Sequence, residues 1–292
     1  MDKKGLTVTV AMKAQSANFG EGLGNVSTLK KLIADDGLPH TYISRQALRY
    51  NLMHNIDFDD TPVSIDKKVA QFDPSATIEA YPEIDLFGYM KTKKGLGAVT
   101  RSAVVRLSHA ISTQPFYDDI DFLTNLSLAS RLDDPTKGLM PSQSEIHQSL
   151  YVYSLTVDLD LVGIDANDDI HIDSEEKARR IKKLLESVHH LYRDIKGRRE
   201  DLQPLLIVGG VFNTKSPVFA NALDIKDKVV NAEKLTDYIN EVKAQPSMGE
   251  PLLGLRKGEF LNESELTALN PDTIINVIDK LKQQVDDYYA SN

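Results

Sequence analysis

Apolar residues return at every second position over residues 6–17, with Leu6, Val8, Val10, Met12 and Ala14 on one side, and this period predicts a strand. The same alternation recurs over residues 98–108 and 150–161, while residues 205–212 form a short apolar run that closes around Gly209 and Gly210. Between these segments the period changes. Residues 42–53 set Leu48 and Leu52 four apart, with Arg45 and Arg49 on a neighbouring face, which predicts a short helix. Residues 174–196 carry Ile181, Leu184, Leu185, Val188, Leu191, Tyr192 and Ile195 at spacings of three and four, which predicts a long one. The order β-α-β-β-α-β is that of an α+β, elaborated ferredoxin-like or RRM-type core.

Two stretches interrupt the pattern. Residues 55–97 contain Pro62, Pro74 and Pro82 and are expected to form an insertion with limited regular structure. Residues 109–147, with Pro115, the Asp133-Asp134-Pro135 run and Gly138 to Pro141, are too long for an ordinary connection and are expected to project. Residues 1–215 thus hold the core and both insertions. Residues 216–292 add amphipathic helices at 232–242 and 271–285, the second opening with Asn270 as N-cap and Pro271 in the first turn.

Composition narrows the chemistry. The 292 residues include no cysteine, so thiolate metal sites, disulfides and thiol nucleophiles are excluded. No charged-then-apolar leader opens the chain, and nowhere do about 18 apolar residues run together, so a soluble cytoplasmic protein with no membrane role is expected. The net charge of −9 opposes phosphate binding over the averaged surface. The charge is segregated, however. Residues 85–116 hold five basic residues against Asp85 alone, whereas residues 157–175 hold seven acidic residues and no Lys or Arg. A nucleic-acid binder would have to use one face.

Several groups are candidates for function. Gly20, Gly22 and Gly24, flanked by Asn18 and Asn25, match neither a dinucleotide fingerprint nor a P-loop, and no cofactor motif occurs elsewhere. Glycines that let backbone N–H groups approach a phosphate suit an RNA backbone, and a plain loop is the competing reading. Arg45 and Arg49, with Gln46 adjacent, are spaced for successive phosphates or form a solvated helix face. Arg101 shares a strand face with Val105 and Leu107, so it needs either an RNA phosphate or an internal carboxylate. Lys177, Arg179, Arg180, Lys182, Lys183, Arg193, Lys196, Arg198 and Arg199 make the densest basic run, expected at the surface or against a nucleic acid or a partner. Asp165, Asn167, Asp169, His171, Asp173 and Glu176 have the spacing of an EF-hand loop, but Ile170 stands where the turn requires Gly, which favours an acidic connection without metal. His147 is either a polar structural histidine, an RNA contact, or the general base of an RRM-type ribonuclease.

Four stretches in this order, NFGEGLGN (18–25), YISRQALR (42–49), VTRSAVVRLSHAIS (99–112) and PSQSEIHQSLYVYSLTVDLDLVG (141–163), resemble the DevR-type backbone subunits of type I CRISPR surveillance complexes. The likeness covers most of residues 1–215. It implies a non-catalytic subunit, many copies of which line up head to tail along a CRISPR guide RNA and present it to a target DNA strand beside other complex subunits. It also implies that residues 55–97 are a finger and residues 109–147 a thumb that folds over the RNA, with Lys137, Leu139 and Met140 at the tip. Asn18, Gly20, Gly22, Gly24, Asn25, Arg45, Gln46, Arg49, Arg101, Ser102 and His147 are the RNA contacts it suggests.

Overall fold

Met12 faces Tyr151, Val10 faces Tyr153 and Leu6 faces Val157 across the antiparallel pair Gly5–Ala14 and Ser149–Asp158. In this computed structural model, which describes residues 2–20, 22, 24–66, 68–93, 95 and 97–292, that pair is the centre of an eight-stranded antiparallel sheet. Its order runs from Leu252–Leu255 through Pro204–Phe212, Gly5–Ala14, Ser149–Asp158, Ala110–Ser112 and Pro39–Ile43 to Lys31–Ile33, with Val105–Leu107 also paired to Ser149–Asp158. The alternation in the sequence therefore has a direct cause. Successive side chains of a strand point to opposite faces, so the apolar set lands on one side.

That side packs against Leu48 and Leu52 of the helix Arg45–His54, Ile181, Leu184 and Val188 of Ser174–His189, and Val277, Ile278 and Leu281 of Ile274–Ala290. Full burial of each such side chain is worth roughly 1.5–3 kcal/mol. The opposite side is also covered. Ala11, Leu150, Leu206 and Val208 meet Phe219, Leu235, Ile239 and Phe260 from the segment that follows the last central strand. The C-terminal segment therefore covers much of this face, and a groove remains along it that reaches Ile111 and Val152 of adjacent strands.

The departures from the sequence reading are local. The first helix begins at Arg45, because Tyr42 belongs to the strand Pro39–Ile43 and Ser44 caps the helix by accepting from Ala47 N at 3.3 Å. The expected strand at 98–108 is two strands. Gly97–Arg101 leaves the sheet to pair with Tyr89–Lys93, while Val105–Leu107 stays in it. Arg101 turns toward Asp85, and Gly88, at φ +70°, presses so close that an added Cβ would lie 2.7 Å from Ala103 N. The long helix ends at His189. Residues 192–201 form a hairpin, Tyr192–Ile195 with Arg198–Asp201, whose turn places both Lys196 and Gly197 at positive φ. A two-residue turn of that kind matches the twist of the strands it joins. The final helix starts at Ile274 with Thr273 as its cap, since Asn270 sits at φ +54°, and Leu252–Leu255 adds an edge strand to a region expected to be helical.

Candidate nucleic-acid interface

Residues 55–97 hold more order than their prolines suggest. A hairpin, Val63–Asp66 with Val69–Phe72, sets Val63 opposite Phe72 and Ile65 opposite Ala70, making one apolar face of which Val63 and Ile65 are strongly exposed. The helix Pro82–Phe87 and the hairpin Tyr89–Arg101 anchor it through a small core of Ala76, Ile78, Ile84 and Tyr89. Lys91 is buried here beside Asp168, and that burial lowers its pKa.

Residues 109–147 project through Ile120–Leu123 paired with Ser142–Glu145, joined by the short helix Leu126–Ala129 and a 3-10 turn at Pro135–Gly138. Leu139 and Met140 are 46% and 69% exposed, and Phe122, Leu123, Leu126 and Leu128 are each more than half exposed as well. The apolar surface on this projection thus extends well beyond the pair singled out in the sequence. The side chain of Lys137 lies outside the described residues.

The glycine loop and this projection are joined. Gln143 pairs with Val26 and Ser144 with Ser27 in parallel register, and Asn25 O accepts from Gln143 N at 2.9 Å. Gly20, Gly22, Gly24 and Asn25 are exposed, and Gly24 stands at φ +60°. Glu21 and Leu23, within the loop, lie outside the described residues. Asn18 has a structural task, because its Oδ1 accepts from Ser44 N at 2.7 Å and so ties the loop to the start of the first helix.

The arginines separate. Arg45 and Gln46 are exposed on the first turn of that helix, and Arg45 has no ion-pair partner among the described residues. It borders a groove of about 710 Å³ with His109, Asn221 and Lys234, between the sheet at Ile111 and Val152 and the C-terminal segment. Arg49 instead pairs with Glu83 at 2.7 Å and lies over the Phe87 ring at 5.0 Å. Arg101 points inward. Its guanidinium binds Asp85 Oδ1 at 2.7 Å and donates to the carbonyls of Ile164, Ile84 and Asp85. Of the two partners open to it in the sequence, the internal carboxylate is the one it has. Ser102 beside it is exposed.

His147 sits where the projection returns to the sheet. Its Nδ1 lies 2.7 Å from Thr41 Oγ1, which in turn lies 2.7 Å from Tyr151 Oη, and the Phe116 ring packs edge-on at 5.6 Å. Burial, with a smaller push from His40, holds its pKa below the usual imidazole value. Of the basic run, Arg179, Lys183, Lys196, Arg198 and Arg199 are exposed, as the surface reading expects, whereas Lys177, Arg180 and Arg193 are buried, and most of the run is ion-paired. Arg180 pairs with Asp85 and Glu176, Lys182 with Asp286, Lys183 with Glu186 and Arg193 with Glu200. The EF-hand spacing is also put to other uses. Asp165 accepts from Tyr89 Oη at 2.8 Å, Asp173 caps the long helix and Glu176 joins Arg179 and Arg180. Among the described residues no three His, Asp or Glu side chains converge on a point that could hold a metal ion.

A family model described as CRISPR-associated negative auto-regulator DevR/Csa2 matches residues 6–234. The fold is similar to a chain of a solved CRISPR RNA-guided surveillance complex, pre-nicking, with a TM-score of 0.66 and 13% identity over 96% of this chain and 100% of that one. A chain of a second CRISPR RNA-guided surveillance complex aligns with a TM-score of 0.62 and 15% identity over 98% of this chain and 99% of the other. Comparison with curated proteins gives no match.

Proposed function

Because the chain belongs to the CRISPR-associated DevR/Csa2 family, we propose that it is a non-catalytic backbone subunit that assembles head to tail along a guide RNA and presents it for pairing with target DNA. The order of the central strands, with the helices Arg45–His54 and Ser174–His189 on one face, supports a ferredoxin-like core as its base. The observation that carries the reading is the pair of projections with apolar surface left bare. Phe122, Leu123, Leu126, Leu128, Leu139 and Met140 are exposed on one, and Val63, Ile65, Val69 and Met90 on or beside the other. Monomeric proteins rarely leave contiguous apolar surface of this kind, so each projection calls for a covering partner. Two unlike surfaces on one chain make a heterologous contact, which grows an open filament wherever its rotation does not close into a ring. A filament needs a template to set its length, and the exposed glycine loop and Arg45 lie beside the root of the larger projection.

The test is purification with bound nucleic acid, followed by incubation with RNAs of increasing length. Particle size should rise in steps with RNA length while the RNA stays intact. A closed dimer that ignores RNA would overturn the proposal, and RNA shortening that disappears in His147→Ala would replace it with a ribonuclease.

A further inference from the structure

The chain has eleven arginines, and seven of them, Arg49, Arg101, Arg106, Arg179, Arg180, Arg193 and Arg199, form ion pairs. Among the described residues Arg45, Arg131, Arg198 and Arg256 do not. Two of these, Arg198 and Arg256, line the same cleft of about 330 Å³, together with Lys13, Gln15 and Gln148. Each is fixed by neutral oxygens. Arg198 donates to Ser16 Oγ at 2.8 Å and to Gln15 Oε1, and Arg256 donates to Gln203 Oε1 at 2.9 Å. Such a guanidinium is oriented without being neutralised, and it retains further N–H donors in a planar fork suited to phosphate.

The acidic groups at the cleft only partly offset this. Glu200 is matched by the buried Arg193 at 2.7 Å, and its other oxygen accepts from the backbone N–H groups of Gln15 and Ser16. Asp201 accepts from Gln203 N and Glu259 has no partner among the described residues, so two carboxylates on the wall keep their charge against Arg198, Arg256 and Lys13. The position of the cleft gives it meaning. Gln15 and Ser16 lead directly into the glycine loop, and Lys196, at the tip of the same hairpin as Arg198, lies over the Phe19 ring of that loop at 4.7 Å. The hairpin Tyr192–Asp201 therefore contacts the chain at the root of the loop twice, through Arg198 at Gln15 and Ser16 and through Lys196 at Phe19.

We infer that this cleft is a second phosphodiester site, in which Arg198, Arg256 and Lys13 hold the backbone of single-stranded nucleic acid passing from the glycine loop. The inference rests on the RNA-binding reading and extends it to a hairpin and a C-terminal residue that the arginine spacing in the first helix does not involve. Guide RNA is the strand assigned, since the cleft adjoins the loop assigned to it.

The experiment measures binding of unrelated single-stranded RNA against salt for the wild type, Arg198→Gln with Arg256→Gln, and Glu259→Gln. The double variant should keep its melting temperature, because Gln retains a donor and no ion pair is broken. Its salt slope should fall in magnitude by about 1.4, at roughly 0.7 per lost single-strand contact. Glu259→Gln should tighten binding, since it removes a carboxylate from the wall. A well-folded double variant with the wild-type slope and affinity would overturn the site. A second arm titrates complementary DNA onto protein already loaded with guide, and a loss confined to that arm would reassign the cleft to the target strand and overturn the guide assignment. A wild type that binds no RNA would instead sink the parent reading, which keeps the two failures distinct.

Discussion

Arg101 and Asp85, sixteen residues apart, form an ion pair at 2.7 Å in which the carboxylate is fully buried. The other Asp85 oxygen accepts from Arg180 of the long helix at 2.9 Å, and Gly163 N donates to the first. One carboxylate therefore fastens the root of the smaller projection to the core. Two cations share it, so removing the anion leaves Arg101 with no counter-charge and Arg180 with Glu176 alone in a dry site, which costs far more than losing a surface pair.

Asp85→Asn should accordingly destabilise the RNA-free protein by about 3–5 kcal/mol, the range for breaking a buried pair. Denaturant titration measures this directly. Equal stability of the variant and wild type would mean that water reaches the site and screens the two guanidinium groups.

Arg45 and Arg49 share a helix and should respond differently. Arg45→Ala removes an exposed charge with no ion partner among the described residues, so stability should change by no more than about 0.5 kcal/mol while the RNA salt slope drops by about 0.7. Arg49→Ala breaks the Glu83 pair and uncovers Phe87. It should cost on the order of 1 kcal/mol of stability after solvent screening, with little change in the slope. Calorimetry and filter binding on both variants distinguish the roles. A matching slope change in Arg49→Ala would show that it lets go of Glu83 to take phosphate.

Two histidines give the protein a pH dependence. Burial lowers the pKa of His147 and of His189, and His40 beside the first and His190, Arg256 and Lys282 beside the second push the same way. Asp279 opposes the shift at His189. A histidine whose folded pKa lies below its ordinary 6.5 binds protons in the unfolded chain first. Stability is then full above that value and is lost as pH falls below it, by up to about 1.4 kcal/mol per pH unit for each proton taken up. Urea unfolding between pH 7.5 and about 5 should show the decline, since unfolded histidine titrates near 6.5. His147→Gln should flatten it, and a variant curve parallel to the wild type would assign the dependence elsewhere.

The sequence was most legible where one face of an element is buried. Leu6, Val8, Val10 and Met12 had to share a side, and the helix stripe of Ile181, Leu184 and Val188 had to meet them. It was least legible where charge overrode period. The alternation at 98–108 continues through Arg101, yet the need for a buried counter-charge pulls that arginine to Asp85 and divides the strand. The hairpin at 192–201 could have been found, because Lys196-Gly197 between Ile195 and Arg198 is a two-residue turn signal, but the apolar residues Tyr192 and Ile195 happened to extend the helical stripe. For the candidate site, exposure was readable at the glycines and at Leu139. Which arginines are neutralised was not, since partners such as Glu83 and Glu200 come from distant or irregular segments.

Leu139 and Met140 supply the sharpest test of what the larger projection does. They follow the turn Pro135–Gly138, and Met140 N is held by Asn125 Oδ1 at 3.1 Å, so the backbone presents them from a fixed position. Both side chains are exposed, and nothing in the core depends on them. Replacing both by Ser should therefore leave the melting temperature of the RNA-free protein unchanged. If the pair wedges between stacked bases, it kinks the RNA once per subunit at a cost of a few kcal/mol per unstacked step, offset by contacts elsewhere. Chemical probing of the bound RNA should then show a periodic pattern of base reactivity in the wild type that is absent in the double variant, while phosphate affinity is largely kept. Phe122→Ser with Leu123→Ser on the same projection separates the alternatives, because loss of filament growth with the reactivity pattern intact would assign that surface to the neighbouring copy. An unchanged pattern in the Leu139 and Met140 variant would remove the wedge from the model, and a large fall in its melting temperature would place the pair in the fold instead of at the RNA.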